Sequence, residues 1–252
     1  MSTKKIYRSI KASTRSRQLF ASSFPSAFCC LFYAMFLLSC SKEAVAPDLA
    51  DGKSTVVQDL AGDTGASVGD GVDGKEKRPF RTFLYSLSTK KQIWLNNAAD
   101  SATYMKTNDW DIAFTDIYNS IVYVNRGDMA KSPGYGGNGQ GAIISVDRPY
   151  DEVDAVPATA NFDNNQGFVG WQGWPQTYNY GWYNYSLTTH LAVPIKGRTF
   201  ILKTATGKYA KLELINVYQG NPPVVTNLHW PAPYLTFRFF VQEDGSTDLK
   251  TR

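Results

Sequence analysis

The stretch TFILKTATGKYAKLELINVY, Thr199 to Tyr218, constrains the fold more than any other part of the chain. Phe200 and Leu202 alternate with Thr199, Ile201 and Lys203. Past the turn, Ala210, Leu212 and Leu214 alternate with Tyr209, Lys211 and Glu213. Successive side chains of a strand point to opposite faces, so this alternation around a Gly-containing turn predicts a β-hairpin with one buried face. Other segments supply partners. YLTFRFFVQ (Tyr234–Gln242) is a further strand with Leu235, Phe237, Phe239 and Val241 on one side. WDIAF (Trp110–Phe114), SIVYV (Ser120–Val124) and AIISV (Ala142–Val146) are short β-favouring runs. FRTFLYSL, STKKQ and IWL read as strand, turn, strand. Helical spacing never persists beyond two turns, and Gly and Pro interrupt most windows. No internal repeat is read. The fold class is all-β: a single domain of antiparallel sheets and hairpins with long loops.

The N-terminal part of the 252-residue chain has a different character. Its start holds six basic residues, Lys4, Lys5, Arg8, Lys11, Arg15 and Arg17, and no acid before the apolar run Ala27 to Leu38. This pattern describes a secretory signal, and a run of twelve is too short to span a bilayer as a helix. Leu37-Leu38-Ser39-Cys40 resembles the lipobox of bacterial lipoproteins, which implies cleavage before Cys40 and a lipid on its thiol. Residues 1–39 are therefore expected to be a lipoprotein signal peptide. Residues 40–78, rich in Gly, Asp, Ala and Ser and free of aromatics, are expected to be the lipidated Cys and a flexible linker. The β domain occupies 79–252. Six of the 26 basic residues leave with the signal, so 20 remain against 22 acids, a formal net charge of −2. That removes the charge argument for nucleic acid. Cys29 and Cys30 also leave with the signal, so the domain has no thiol for a disulfide, a metal site or a nucleophile.

Motifs for catalysis are scarce. Gly134 to Gly139 spell G-x-G-x-x-G, but a dinucleotide turn needs a helix next, and the β-branched AIISV follows. The segment reads as a flexible hairpin connection whose glycines take positive φ. There is no nucleophile elbow and no H-E-x-x-H, and the two histidines, His190 and His229, are too few for a His-rich zinc site. Asp109/Asp111 and Asp151/Glu152 read as solvated charges at strand edges and turns. The chain is not expected to be an enzyme. The densest signal is FVGWQGWPQTYNYGWYNY, Phe168 to Tyr185, with three Trp, four Tyr and one Phe. Aromatics at this density serve core packing or a flat apolar ligand. Gln172, Gln176, Asn179 and Asn184 among them also suit a sugar platform.

The order of motifs resembles the HmuY family of haem-binding bacterial surface lipoproteins. The matching residues are Trp110-Asp111-Ile112-Ala113, the Gly-Asn-Gly-x-Gly loop Gly137–Gly141, Val156-Pro157, Gly181-Trp182, and RTFILKTATGKYAKLEL. The last is the Thr-Phe-x-Phe strand Thr236–Phe239 with Gln242 after it. The resemblance runs from about Phe80 to Gly245 and implies an all-β domain, lipid-anchored at the outer membrane and facing outward. It implies haem as the ligand, gripped between two axial side chains, and an outer-membrane haem receptor as partner. Imidazole and thioether are ordinary axial ligands. The family's histidines are not matched position by position. The interval Ala158 to Tyr180 holds no His or Met, and the second family position falls on Leu187, three residues before His190. His190 and Met129 are the axial-ligand candidates, with Trp171, Trp174, Tyr178, Tyr180 and Trp182 as candidate pocket aromatics. The alternative is a surface lipoprotein of the same fold that has lost the haem site and binds a glycan or a receptor partner.

Overall fold

The hairpin that dominates the sequence is the centre of a five-stranded antiparallel sheet. The computed structural model describes residues 49–70, 72–163, 167–172 and 181–252, all within one unit, Ala44–Arg252. The signal segment and Cys40 lie outside the described residues. In chain order the strands are β1 (Thr55–Ala61), β2 (Ala66–Ser67), β3 (Glu76–Lys77), β4 (Phe83–Tyr85) and β5 (Gln92–Trp94), then a short helix α1 (Ala98–Tyr104). There follow β6 (Ile112–Thr115), β7 (Ile121–Val124), β8 (Ala142–Val146), β9 (Phe168–Val169) and β10 (Trp171–Gln172). The last are β11 (Tyr183–Tyr185), β12 (Ala192–Pro194), β13 (Thr199–Lys203), β14 (Tyr209–Asn216) and β15 (Tyr234–Val241). One sheet runs β1-β15-β14-β13-β8 and a second β5-β4-β6-β7-β9, with a small β10-β11-β12 sheet and a β2-β3 pair. The all-β class holds, and α1 has no fully buried residue, packs through Tyr104 beside Trp110, and is capped by the Asn97 side chain accepting from the Asp100 amide.

The main core lies between the two large sheets. Pairing Phe200 with Leu212 and Leu212 with Phe239 puts one apolar row on the inner face of the first sheet. Phe83, Phe114 and Val122 form the matching row of the second. The rows meet ring to ring: Phe237 lies 5.3 Å edge-on from Tyr85 and 5.5 Å from Phe114. The outer faces are covered as well. Ile201 is fully buried with Ala142, Val153, Phe162 and Leu249, and Leu84 is buried with Trp110 and Ala113. The hairpin thus has two buried faces where its alternation predicts one, because chain from 150–162 and 249 folds back over the second.

Lys211, on that second face, is completely buried. Its ammonium donates to the Tyr150 and Val153 carbonyls at 3.1 and 3.0 Å and stands 4.3 Å above the Tyr150 ring. The Arg238 guanidinium stacks on the same ring at 4.2 Å. These contacts explain why a strand with a lysine in its buried row remains satisfied.

Two further expectations are corrected. The linker assigned to 40–78 does not hold over its described part. β1 pairs with β15 as an edge strand, with Val57 opposite Phe237 and Val57 and Leu60 packed on the main core. An edge strand needs one apolar stripe and a free neighbour's backbone, not aromatics of its own. Beyond it, buried Asp63 accepts from the Arg78 guanidinium at 2.9 Å and the Arg81 amide at 2.9 Å. Asp111 is likewise buried rather than a solvated edge charge. It accepts from the Leu87 amide at 2.7 Å and the Ala205 amide at 2.9 Å, tying a turn of each large sheet together. Burial pushes its pKa up, with those two amides acting the other way.

Candidate ligand site around His190

Two hairpins of the fold are built alike. Tyr85-Ser86-Leu87-Ser88-Thr89-Lys90 leads from β4 into β5, and Tyr185-Ser186-Leu187-Thr188-Thr189-His190 leads from β11 into β12. In the first turn the Lys90 amide donates to the Ser86 carbonyl at 2.9 Å and the Ser86 amide to the Lys91 carbonyl at 3.0 Å. In the second the His190 amide donates to the Ser186 carbonyl at 2.7 Å and the Ser186 amide to the Leu191 carbonyl at 3.1 Å. The serine hydroxyls accept from the Thr89 and Thr189 amides. Lys90 and His190 both take the left-handed conformation, at φ 59° and 56°. The chain therefore does contain a local repeat, hidden from periodicity because only the turn and its flanks are shared. Lys90 closes the same turn without an imidazole, so the turn does not explain the identity of residue 190.

What differs is the surroundings. Leu87 is 2 % exposed and its amide rests on Asp111, whereas Leu187 is 51 % exposed. Lys90 is exposed, whereas His190 is half-buried among aromatic rings. Its Nδ1 is 3.0 Å from the Tyr185 hydroxyl, and the two ring centroids are 6.0 Å apart. Trp171 stacks on Tyr185 at 5.8 Å, and Tyr183 meets it edge-on at 6.4 Å. Tyr118 donates its hydroxyl to the His190 carbonyl at 3.2 Å, and the Tyr218 hydroxyl accepts from the Ala192 amide at 2.9 Å. Burial pushes the Tyr185 phenol up to about 12, so it is a neutral hydroxyl at any ordinary pH.

The neighbouring backbone is strained. Asp116 has φ 57° and ψ −158°, a region that only glycine adopts freely, and Tyr118 has φ 55° and ψ 21°. Surrounding bonds hold this turn. Asn119, fully buried, accepts from the Asp63 amide at 2.8 Å and donates to the Arg81 carbonyl at 2.7 Å. Ser120 binds the Tyr183 hydroxyl at 2.6 Å, and its carbonyl accepts from the Trp182 indole at 2.7 Å. The result is a Tyr118 ring fixed beside the His190 turn.

The aromatic candidates separate into classes. Trp171 joins the His190 cluster through Tyr185. Trp182 does not line a cleft: it is 1 % exposed, in the main core, because its indole N–H finds an internal carbonyl on Ser120. Trp174, Tyr178 and Tyr180 lie outside the described residues. The Arg198 guanidinium donates to the Gln172 side chain and the Gly181 carbonyl, both at 2.6 Å, which fixes β10 alongside β11 and so Trp171 beside Tyr183. Met129 has other company. Its sulfur packs over Gly167, where a Cβ would stand only 2.1 Å from it, at the opposite end of the β9–β10 run from Trp171. His229 is exposed and faces Asp73 at 2.9 Å.

The donor set fits a haem iron on one side. With Nδ1 engaged by Tyr185, His190 Nε2 has no hydrogen-bond partner among the described residues, and an imidazole is of the chemical type that ligates haem iron, here half-buried beside stacked rings. Two open cavities lie elsewhere, each of about 340 Å³. One is beside the glycine-rich loop, lined by Arg126, Asn138, Phe162 and Lys203 among others, and has neither imidazole nor thioether. The other, under α1, has Met105 but no imidazole. Sequence reading missed Tyr185 and Tyr118 as partners of His190. The shared Tyr-Ser-Leu turn was the available signal, since it marks residue 190 as a position that the fold leaves free.

Among the described residues no helix is long and apolar enough to cross a membrane, and no group of three or more His, Cys, Asp or Glu could hold a metal ion. Similar solved structures include a Bacteroides vulgatus protein named as HmuY-like and heme-binding, at 16 % identity and TM-score 0.39, covering 75 % of this chain and 91 % of that one. The apo HmuY analog of Tannerella forsythia is 13 % identical at TM-score 0.41, covering 75 % and 95 %. A Bacteroides fragilis protein named as a lipoprotein is 14 % identical at TM-score 0.38, covering 77 % and 92 %. No curated protein matches the chain. A family model described as HmuY protein matches residues 82–230, more than half of the chain and all three hairpins described above. On that match, the chain belongs to the HmuY family.

Proposed function

We propose that this protein binds haem at the His190 cluster and captures or relays it at the cell surface without transforming it. The observation that carries the reading is the half-buried imidazole whose Nδ1 is held by Tyr185 while Nε2 has no hydrogen-bond partner among the described residues. Bound there, haem would supply an iron with an open axial position, and the chain's own task is to hold it. His190 is the donor for one face, and Trp171 and Tyr185 give apolar surface beside it. Met129 is the candidate for the opposite face, and its thioether packs over Gly167. Anchoring through a lipidated Cys40, surface exposure and hand-over to an outer-membrane haem receptor belong to the same proposal. Family membership supports it.

Optical titration of the protein with haemin tests the reading. A saturable Soret shift at one equivalent is expected, and a spectrum identical to free haemin in both oxidation states would overturn it. A second reading has one observation in its favour: the position of a family ligand is Leu187, which cannot bind iron and is 51 % exposed. In that reading the site takes a glycan or a receptor partner, and a glycan array together with pull-down by outer-membrane proteins would detect it.

A further inference from the structure

We infer that Tyr185 is a positioning residue for His190: its hydroxyl holds Nδ1 and so makes Nε2 the nitrogen offered to a metal-bearing ligand. The inference rests on the reading of His190 as an iron ligand.

The paired hairpins isolate the contact from the fold. Tyr85 and Lys90 occupy the same turn positions as Tyr185 and His190, with the same backbone bonds. Yet Tyr85 is buried with its ring edge-on to Phe237, and among the described residues no hydrogen bond joins it to Lys90. The turn forms without any link between those side chains. In the second hairpin the link exists, and the tyrosine is braced for it: Trp171 stacks on one side, with 21° between the planes, and Tyr183 meets it at 90°. A ring fixed by two neighbours delivers its hydroxyl to one place, 3.0 Å from Nδ1.

A phenol hydroxyl suits a ring that must change tautomer. Where the proton of the free ring sits on Nε2, the hydroxyl donates to the unprotonated Nδ1. Coordination requires Nε2 to be bare, so the neutral ring releases that proton to solvent and takes one on Nδ1 from solvent. The hydroxyl then rotates to accept from Nδ1–H, and the ring nitrogen is partnered in both states. Such a bond to the distal ring nitrogen raises the basicity of the donor nitrogen, and its loss typically weakens metal binding by about 10- to 100-fold.

Tyr185→Phe keeps both ring contacts and removes only the hydroxyl. Titrated with haemin, it is expected to bind roughly tenfold or more weakly, with an unchanged ligand type in the spectrum. Its midpoint potential should be higher, because a less basic imidazole stabilises ferric iron less. In the haem-free protein, the ¹⁵N signals of the His190 ring should report a changed tautomer ratio. Wild-type affinity, potential and ring ¹⁵N signals in a folded Tyr185→Phe protein would overturn the inference and leave Tyr185 a packing residue. Altered ring signals with a haemin spectrum unaffected by His190→Asn would instead overturn the ligand reading while the Tyr185–His190 pairing stands.

Discussion

Asn125 accounts for the glycine-rich loop. Its side chain is fully buried and donates to the Thr107 and Trp110 carbonyls at 2.8 and 2.9 Å, which fixes the orientation of the amide. Its Oδ1 has no hydrogen-bond partner among the described residues and lies only 2.3 Å from where the Cβ of Gly134 or of Gly139 would stand. Only Cα–H groups fit against it. Of the glycines from 134 to 141, only Gly136 takes a positive φ, so close approach and not backbone freedom selects most of them. Gly139→Ala should therefore cost about 2 kcal/mol or more, read as a drop in the denaturant midpoint, and a neutral result would contradict this. The strand after the loop, β8, was legible from its β-branched run, but a side chain pressing on glycines from another turn leaves no local pattern. Asp63 poses the same problem. Burial alone would raise its pKa, but hydrogen bonds from Arg78 and Arg81 outweigh that and hold it well below the ordinary 3.8. A depressed folded pKa means that the unfolded chain binds the proton first. Its contribution is complete above about pH 4 and is lost as pH falls through the folded value. Asp63→Asn should lower the thermal midpoint at pH 7 and flatten its acid dependence below about pH 4, and an unchanged acid slope would exclude Asp63 as the titrating group.

Among the elements, the hairpin β13–β14 was legible because its alternation is a backbone property, and the structure pairs Phe200 with Leu212 and Leu202 with Ala210 as that pattern requires. The fate of its other face was not legible. Ile201 is as buried as Leu202, in a separate cluster formed by residues distant in sequence. Ile201→Ala and Leu202→Ala should each cost roughly 3 kcal/mol. A cost below about 1 kcal/mol for Ile201→Ala, the range of exposed sites, would restore the one-faced hairpin. β1 escaped notice for the converse reason. Its Val56-Val57 and Leu60 are too few to mark a strand, and their value comes from the free edge of β15 that they cover. The β11–β12 hairpin sits between these cases: its strands are only three residues each, yet the turn chemistry it shares with β4–β5 identifies it.

At the scale of the whole molecule, two facing sheets provide a frame in which the first Tyr-Ser-Leu turn is locked onto Asp111 while the second is left at the surface with His190. The all-β class and the family were readable because they rest on ordered motifs. The site was readable only as a set of residue types: His190 and Trp171 come together, Trp182 is core, and Met129 stands against Gly167. The central claim is that the imidazole at position 190 serves a ligand and not the fold. His190→Asn tests it most directly, since asparagine tolerates the left-handed conformation and is no ligand for haem iron. The account predicts unchanged circular dichroism and thermal midpoint, with the haemin Soret shift lost or its affinity reduced at least tenfold. A folded His190→Asn protein that binds haemin with the wild-type spectrum and affinity would contradict it.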